Sequence, residues 1–130
     1  MSSKIRVVAA VARRGNQLMV CQRPAHKRHG GLWEFPGGKN EPGESDEDAV
    51  RRELSEELDL VVRATQPADF NIEDPGSPFL IAFVPVEIEG EPRCREHTAL
   101  TWRTPEELLA LPLAPSDRRY VEHLLGPAVD

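Results

Sequence analysis

The chain has 130 residues, of which 39% are apolar, and a formal net charge of −6; that is enough for one domain, residues 1–130, built round a single core. An acidic balance argues against a nucleic-acid partner bound by phosphate neutralisation. No segment approaches the roughly 20 consecutive apolar residues of a transmembrane helix, so no membrane partner is expected.

Met1-Ser2-Ser3-Lys4 runs directly into a strand pattern and lacks the apolar core of a signal peptide, which makes a cytoplasmic location the expectation. Ile5, Val7, Ala9 and Val11 alternate within a largely buried strand, and Arg14-Gly15-Asn16-Gln17 turns the chain into a second strand over Leu18–Gln22. Residues 23–31 form a polar loop carrying Arg23, His26, Lys27, Arg28 and His29. Such a run is either a solvated loop or a local cation site on an acidic protein. Leu32–Phe35 reads as a short strand that leads into a glycine turn, Pro36-Gly37-Gly38. Ser45 caps a helix over Asp46–Leu58, with Asp48 three residues on approximating a capping box.

Leu60–Ala64 reads as a strand, and 69–73 with 79–88 as a hairpin about Asp74-Pro75-Gly76-Ser77. After a charged loop over 89–96, Ala99–Trp102 forms another strand, and Thr104-Pro105-Glu106-Glu107 starts a helix. Ser116 is expected to cap a last helix that runs through Leu125. Strands and helices in this order give a mixed α/β or α+β domain. Cys21 and Cys94 read as free thiols, since neither a disulfide framework nor zinc spacing is present.

The densest signal lies between Gly38 and Leu60. On a helix of 3.6 residues per turn, Glu53, Glu56 and Glu57 fall within an arc of roughly 100°. Like charges one turn apart repel, and hard oxygen donors gathered in this way suit Mg²⁺ or Mn²⁺. The competing view is a solvated acidic face, with Arg52 and Glu56 as an i,i+4 pair. Against it, the glutamates border the apolar stripe Val50, Leu54 and Leu58.

With Gly38, Glu44, Arg52, Glu53, Leu54, Glu56, Glu57 and Leu60 in place, the stretch resembles the Nudix hydrolase signature, G-x5-E-x7-R-E-U-x-E-E-x-G-U with U aliphatic. Asp59 stands where that signature has its second glycine, at a helix end where a left-handed residue is favoured. The segments Gln22-Arg23-Pro24, Gly31 to Lys39, Glu96 to Trp102 and Leu111 to Asp117 extend the resemblance to the MutT-like branch and its CTP pyrophosphohydrolase type. The resemblance implies a curved mixed β-sheet sandwiched between α-helices. It implies hydrolysis of a nucleoside triphosphate to monophosphate and pyrophosphate, with a small-molecule nucleotide as partner and the protein a monomer or homodimer.

By the same resemblance, Glu53, Glu56, Glu57, the Gly38 carbonyl, Glu44 and Glu96 are candidate ligands of Mg²⁺ or Mn²⁺. Arg52 would orient the glutamates. Glu53 is the first candidate for general base and Glu96 the second. Arg23 and Lys39 are candidates for the phosphate tail. Phe35 would face the nucleobase, or else be a core aromatic, and Asp117 would accept from an exocyclic amine, or else favour a helix N-terminus. Two other functions are open: hydrolysis of a nucleoside diphosphate sugar or dinucleoside polyphosphate, for which Pro75 is one weak sign, and a non-catalytic nucleotide-binding module, against which all the signature glutamates stand.

Overall fold

A computed structural model describes residues 4–127. The long strand β1 (Ile5–Arg14) is the axis of the molecule. Along one edge it pairs in parallel with β7 (Phe79–Glu89), which then pairs antiparallel with β6 (Phe70–Glu73) and β5 (Val61–Thr65). Its other edge is divided. The first half takes β4 (Gly37–Lys39), and the end turns into β2 (Gln17–Gln22), which carries β3 (Trp33–Glu34) and β8 (Ala99–Arg103).

Because successive side chains of a strand point to opposite faces, β1 feeds two cores. Val8, Ala10 and Ala12 join Val50, Leu54 and Leu58 under helix α1 (Asp46–Leu58). Ala9 and Val11 join Leu18, Phe35 and Tyr120 on the opposite face. That face is covered by the single turn α2 (Pro105–Leu108) and by α3 (Pro115–Leu125). The expected mixed sheet between helices is therefore present. Each fully buried leucine, Leu54 among them, contributes about 1.5–3 kcal/mol to this packing.

The helix that carries the glutamates starts and stops as its sequence suggests. Ser45 Oγ accepts from the Asp48 N–H at 3.1 Å. Arg6 clamps Asp46 through two bonds of 2.7 Å, tying the first turn to β1. At the other end Asp59 is left-handed, with φ 58° and ψ 38°. Its N–H caps the carbonyls of Leu54 and Ser55. Glycine adopts this conformation without steric cost, whereas the Asp59–Arg95 ion pair is exposed and worth little. Asp59→Gly is expected to stabilise the protein by about 0.5–1 kcal/mol, a rise of about 2–4 °C in Tm on calorimetry.

Two local expectations are corrected. Gly37 and Gly38 do not form a turn; they belong to β4, where Val8 faces Gly38 and Ala9 faces Gly37. A Cβ on Gly37 would lie 1.9 Å from the Val8 carbonyl oxygen, so the strand can approach only as glycine. Ser116 does not cap α3. Pro115 already occupies the first turn, the N-cap is Ala114 without a side-chain bond, and the Ser116 hydroxyl instead donates to Asp74 Oδ1 at 2.7 Å.

Candidate active site

Helix α1 lies beneath β4, and this contact assembles the acidic cluster. Arg52 is its organiser. Its Nε and Nη2 reach both oxygens of Glu44 at 2.8 Å, Nη1 reaches Glu53 at 2.9 Å and Glu56 at 3.3 Å, and Nη2 also donates to the Lys39 carbonyl at 3.0 Å. A planar fork of five donors suits this distribution. The Arg52 guanidinium, with help from the Glu41 N–H, holds the Glu44 carboxyl down at about 2.

Glu53 is pressed against β4, since a Cβ on Gly38 would lie 2.5 Å from Glu53 Oε1. Any side chain at Gly38 would therefore displace the carboxylate. Glu57, one turn on, is 5% exposed. Burial above all, and then Glu53 beside it, pushes its carboxyl up to about 10. Its Oε2 is buried without a hydrogen-bond partner. Glu56 points outward and is more than half exposed on its side chain. Among the described residues, no three acidic, histidine or cysteine side chains already surround one point; the convergence is that of Glu57 with Glu53, which lies against the Gly38 backbone.

Two carboxylates at such a contact coexist by sharing a proton or a cation. A buried carboxylate with an unpartnered oxygen, beside a partly buried one held against a glycine backbone, fits Mg²⁺ or Mn²⁺.

The loop after β7 completes the site from above. The N–H groups of Arg93 and Arg95 bond the carbonyls of Leu58 and Glu57, so the end of α1 holds this loop in position. Glu96 thereby lines a cleft with Glu57, Arg23 and Gly37. The neighbouring His97 is buried on its side chain, with Nε2 at 3.0 Å from Glu34 and 3.8 Å from Glu57. Glu34 in turn accepts twice from Arg23 at 3.1 Å. Sequence reasoning passed over Glu34 and His97. The usable signal was an acid between two aromatics in Trp33-Glu34-Phe35; their pairing across 63 positions left none.

A second cavity of about 380 Å³ adjoins the cleft, and Arg23, Glu34 and Gly37 border both. Lys39 lines it, with Nζ 5.5 Å from the Phe79 ring centroid. Phe35 is 3% exposed and packs edge-on against Phe83 and Tyr120, so it contributes to the floor of the cavity as a core aromatic and offers little face. Asp117 lies in the first turn of α3 and accepts the Phe35 N–H at 2.9 Å. Burial, and then the charge of Glu34, pushes its carboxyl up to about 8. Of the residues singled out in the sequence, the structure thus gathers Glu44, Glu53 and Glu56 round Arg52, sets Glu53 against Gly38, and places Glu57 and Glu96 in the cleft. It brings Arg23, Lys39, Phe35 and Asp117 to the adjoining cavity. Cys21 is buried and far from nucleophilic, since burial raises its thiol pKa.

A NUDIX domain model matches residues 3–124. The chain is 43% identical to the CTP pyrophosphohydrolase of Escherichia coli over 124 residues, covering 94% of this chain and 92% of that protein. It is 33% identical to the 8-oxo-dGTP diphosphatase of Haemophilus influenzae over 130 residues, covering 97% and 96%. Among solved structures, it is similar to the E. coli ORF135 protein, with TM-score 0.81, 37% identity and coverage of 95% and 89%. It is also similar to a MutT structure from a comparison of the Aliivibrio salmonicida and Vibrio cholerae proteins, with TM-score 0.81, 31% identity and coverage of 95% and 98%.

Proposed function

From a chain that belongs to the NUDIX family of hydrolases, we propose a nucleotide-pool sanitising enzyme that hydrolyses (deoxy)nucleoside triphosphates to monophosphate and pyrophosphate with Mg²⁺ or Mn²⁺. The observation that carries this reading is the buried Glu57 beside Glu53, which presses against Gly38, next to a cavity lined by cations and by Asp117. Glu53, Glu56, Glu57 and the Gly38 carbonyl would hold the metal, with Glu44 and Glu96 at its edge. A bound divalent ion supplies charge neutralisation on the phosphate oxygens and acidifies water.

The residues divide the remaining work. Arg23 has Nε on the Arg28 carbonyl and Nη1 on Glu34. Its Nη2 makes no bond among the described residues and is available, with Lys39, to phosphate oxygens. Water adds at the β-phosphorus, the bond to the bridging oxygen breaks, the monophosphate leaves, and the oxygen of water ends on pyrophosphate. Glu53 takes the proton of that water, with Glu96 as the alternative base. Arg52 fixes the carboxylates in one geometry throughout. The site is assigned to a small-molecule nucleotide in the cytoplasm, served by a monomer or homodimer. Among the described residues no helix is long and apolar enough to cross a membrane.

The test is release of pyrophosphate with Mg²⁺ from CTP, dCTP, 5-methyl-dCTP and 8-oxo-dGTP, with ADP-ribose and a dinucleoside tetraphosphate alongside. Cleavage of the last two alone would overturn the reading. Pro75, the one sign of that alternative, stands in a turn closed by Asp74 and Ser77, which accounts for it.

Asp117 offers a second check. Its carboxyl stands above the ordinary 3.8 at about 8, so its contribution to stability is complete below about pH 4 and is lost as pH rises through about 8. Asp117→Asn is expected to flatten the fall of Tm between about pH 4 and 8. The same variant should change kcat/KM for cytidine relative to purine nucleotides by about tenfold. Unchanged base preference would remove Asp117 from recognition.

A further inference from the structure

Arg28 and Asp74 meet at the rim of the same cavity, and no role has yet been given to either. Asp74 sits in the β6–β7 turn with only 10% of its side chain exposed. It is held from two sides: Ser77 Oγ donates to Oδ2 at 2.8 Å and Ser116 Oγ to Oδ1 at 2.7 Å. Arg28 comes from the β2–β3 loop, 46 residues away, and touches Asp74 Oδ2 at 3.5 Å. Its own backbone is steady, since its carbonyl accepts from Arg23 Nε at 2.7 Å. Its side chain is half exposed, and the contact is long. A rigid acid thus holds a cation loosely at a cavity mouth, where a ligand can draw it inward.

The surroundings decide which part of a ligand this cation meets. Asp74 is bonded to Ser116, whose neighbour Asp117 faces the cavity. The charged carboxylate of Asp74 on this side disfavours a polyphosphate. Phe35 lies edge-on in the floor, so a base has little aromatic face from below. A guanidinium is planar, donates to carbonyl and ring-nitrogen acceptors, and stacks on π-faces.

We propose that Arg28 contacts the nucleobase of the bound nucleotide and that Asp74, pinned by Ser77 and Ser116, is the positioning residue that aims it. This rests on the reading of the cavity as the nucleotide site. It makes Arg28 a determinant of base affinity separate from the metal cleft, and it turns the Asp74-Pro75-Gly76-Ser77 turn into part of the binding wall.

The test uses the full chain with CTP and 8-oxo-dGTP as substrates and magnesium tripolyphosphate as an inhibitor that has no base. Arg28→Ala is expected to raise KM for the preferred nucleotide about tenfold, mainly at the expense of binding, while the inhibition constant of tripolyphosphate stays within about twofold. Asp74→Asn should raise KM by about threefold and add nothing to Arg28→Ala in the double variant, because it acts through Arg28. Unaltered KM in Arg28→Ala overturns the proposal. So does parallel weakening of tripolyphosphate, which would make Arg28 a phosphate ligand, and so does full additivity of the two substitutions. If the wild-type protein releases pyrophosphate from neither nucleotide, the reading beneath falls, and this inference with it.

Discussion

Glu57→Gln is expected to reduce kcat by about 10³-fold or more while making the protein more stable in a chelating buffer, by about 1–3 kcal/mol at pH 8. Both effects come from one atom arrangement. Glu57 is 5% exposed, its Oε2 has no partner, and Glu53 lies alongside. With its carboxyl raised from 4.5 to about 10, the metal-free protein has this contribution in full below about pH 4.5. The contribution is lost as pH rises through about 10. An amide in its place carries no charge to be desolvated and removes that alkaline loss. It also removes a hard anionic donor, so Mg²⁺ should no longer give the rise in Tm expected for the wild type, where binding of the ion would release the proton and protection should grow from about pH 6 to 8.5. Melting curves in EDTA and in millimolar Mg²⁺, with turnover on the same samples, decide it. A variant that is less stable than the wild type in EDTA would contradict this account of a buried Glu57 carboxylate.

This opposition between stability and activity bears on what could be read from the residues alone. The helix was legible because its signals are local: Ser45 as cap, an apolar stripe through Val50, Leu54 and Leu58, and Asp59 at a left-handed end. The glutamates were legible as a group through spacing, but not their inequality. Periodicity places Glu56 and Glu57 as neighbours, yet one is exposed and the other buried. That difference comes from the loop carrying Glu96 and His97, which folds over Glu57 from nearly 40 residues downstream. Pro36-Gly37-Gly38 looked like a turn because glycine has poor strand propensity; the strand over Gly37–Lys39 lies so close to β1 that no Cβ fits at Gly37. Ser116 looked like a cap for the same local reason, while its hydroxyl is engaged by Asp74, 42 positions earlier. Phe35 was left between core and base, and its 3% exposure assigns it to the core. What escaped the sequence is in each case a partner brought in by topology.

Arg52→Lys should cost about 10²-fold in kcat, despite keeping the charge. Lysine offers three donors from a point; Arg52 spreads its bonds over Glu44, Glu53, Glu56 and the Lys39 carbonyl. A lysine can satisfy Glu44 or Glu53, not both in the present geometry. The carboxylate released would turn toward water, and the apparent affinity for Mg²⁺ should weaken in step with kcat. Glu44 supplies an independent readout of the same event. Held at about 2 by Arg52, it stabilises the fold above about pH 4.5, a contribution lost as pH falls through about 2. In Arg52→Ala the Glu44 carboxyl should return toward its ordinary range, observable as an upward shift of its side-chain carboxyl titration by NMR, and the acid fall in Tm should become shallower. Retained kcat in Arg52→Lys together with a shifted Glu44 titration would show that the guanidinium stabilises the loop before α1 without aligning the glutamates. Loss of both would tie the reaction to the fork itself.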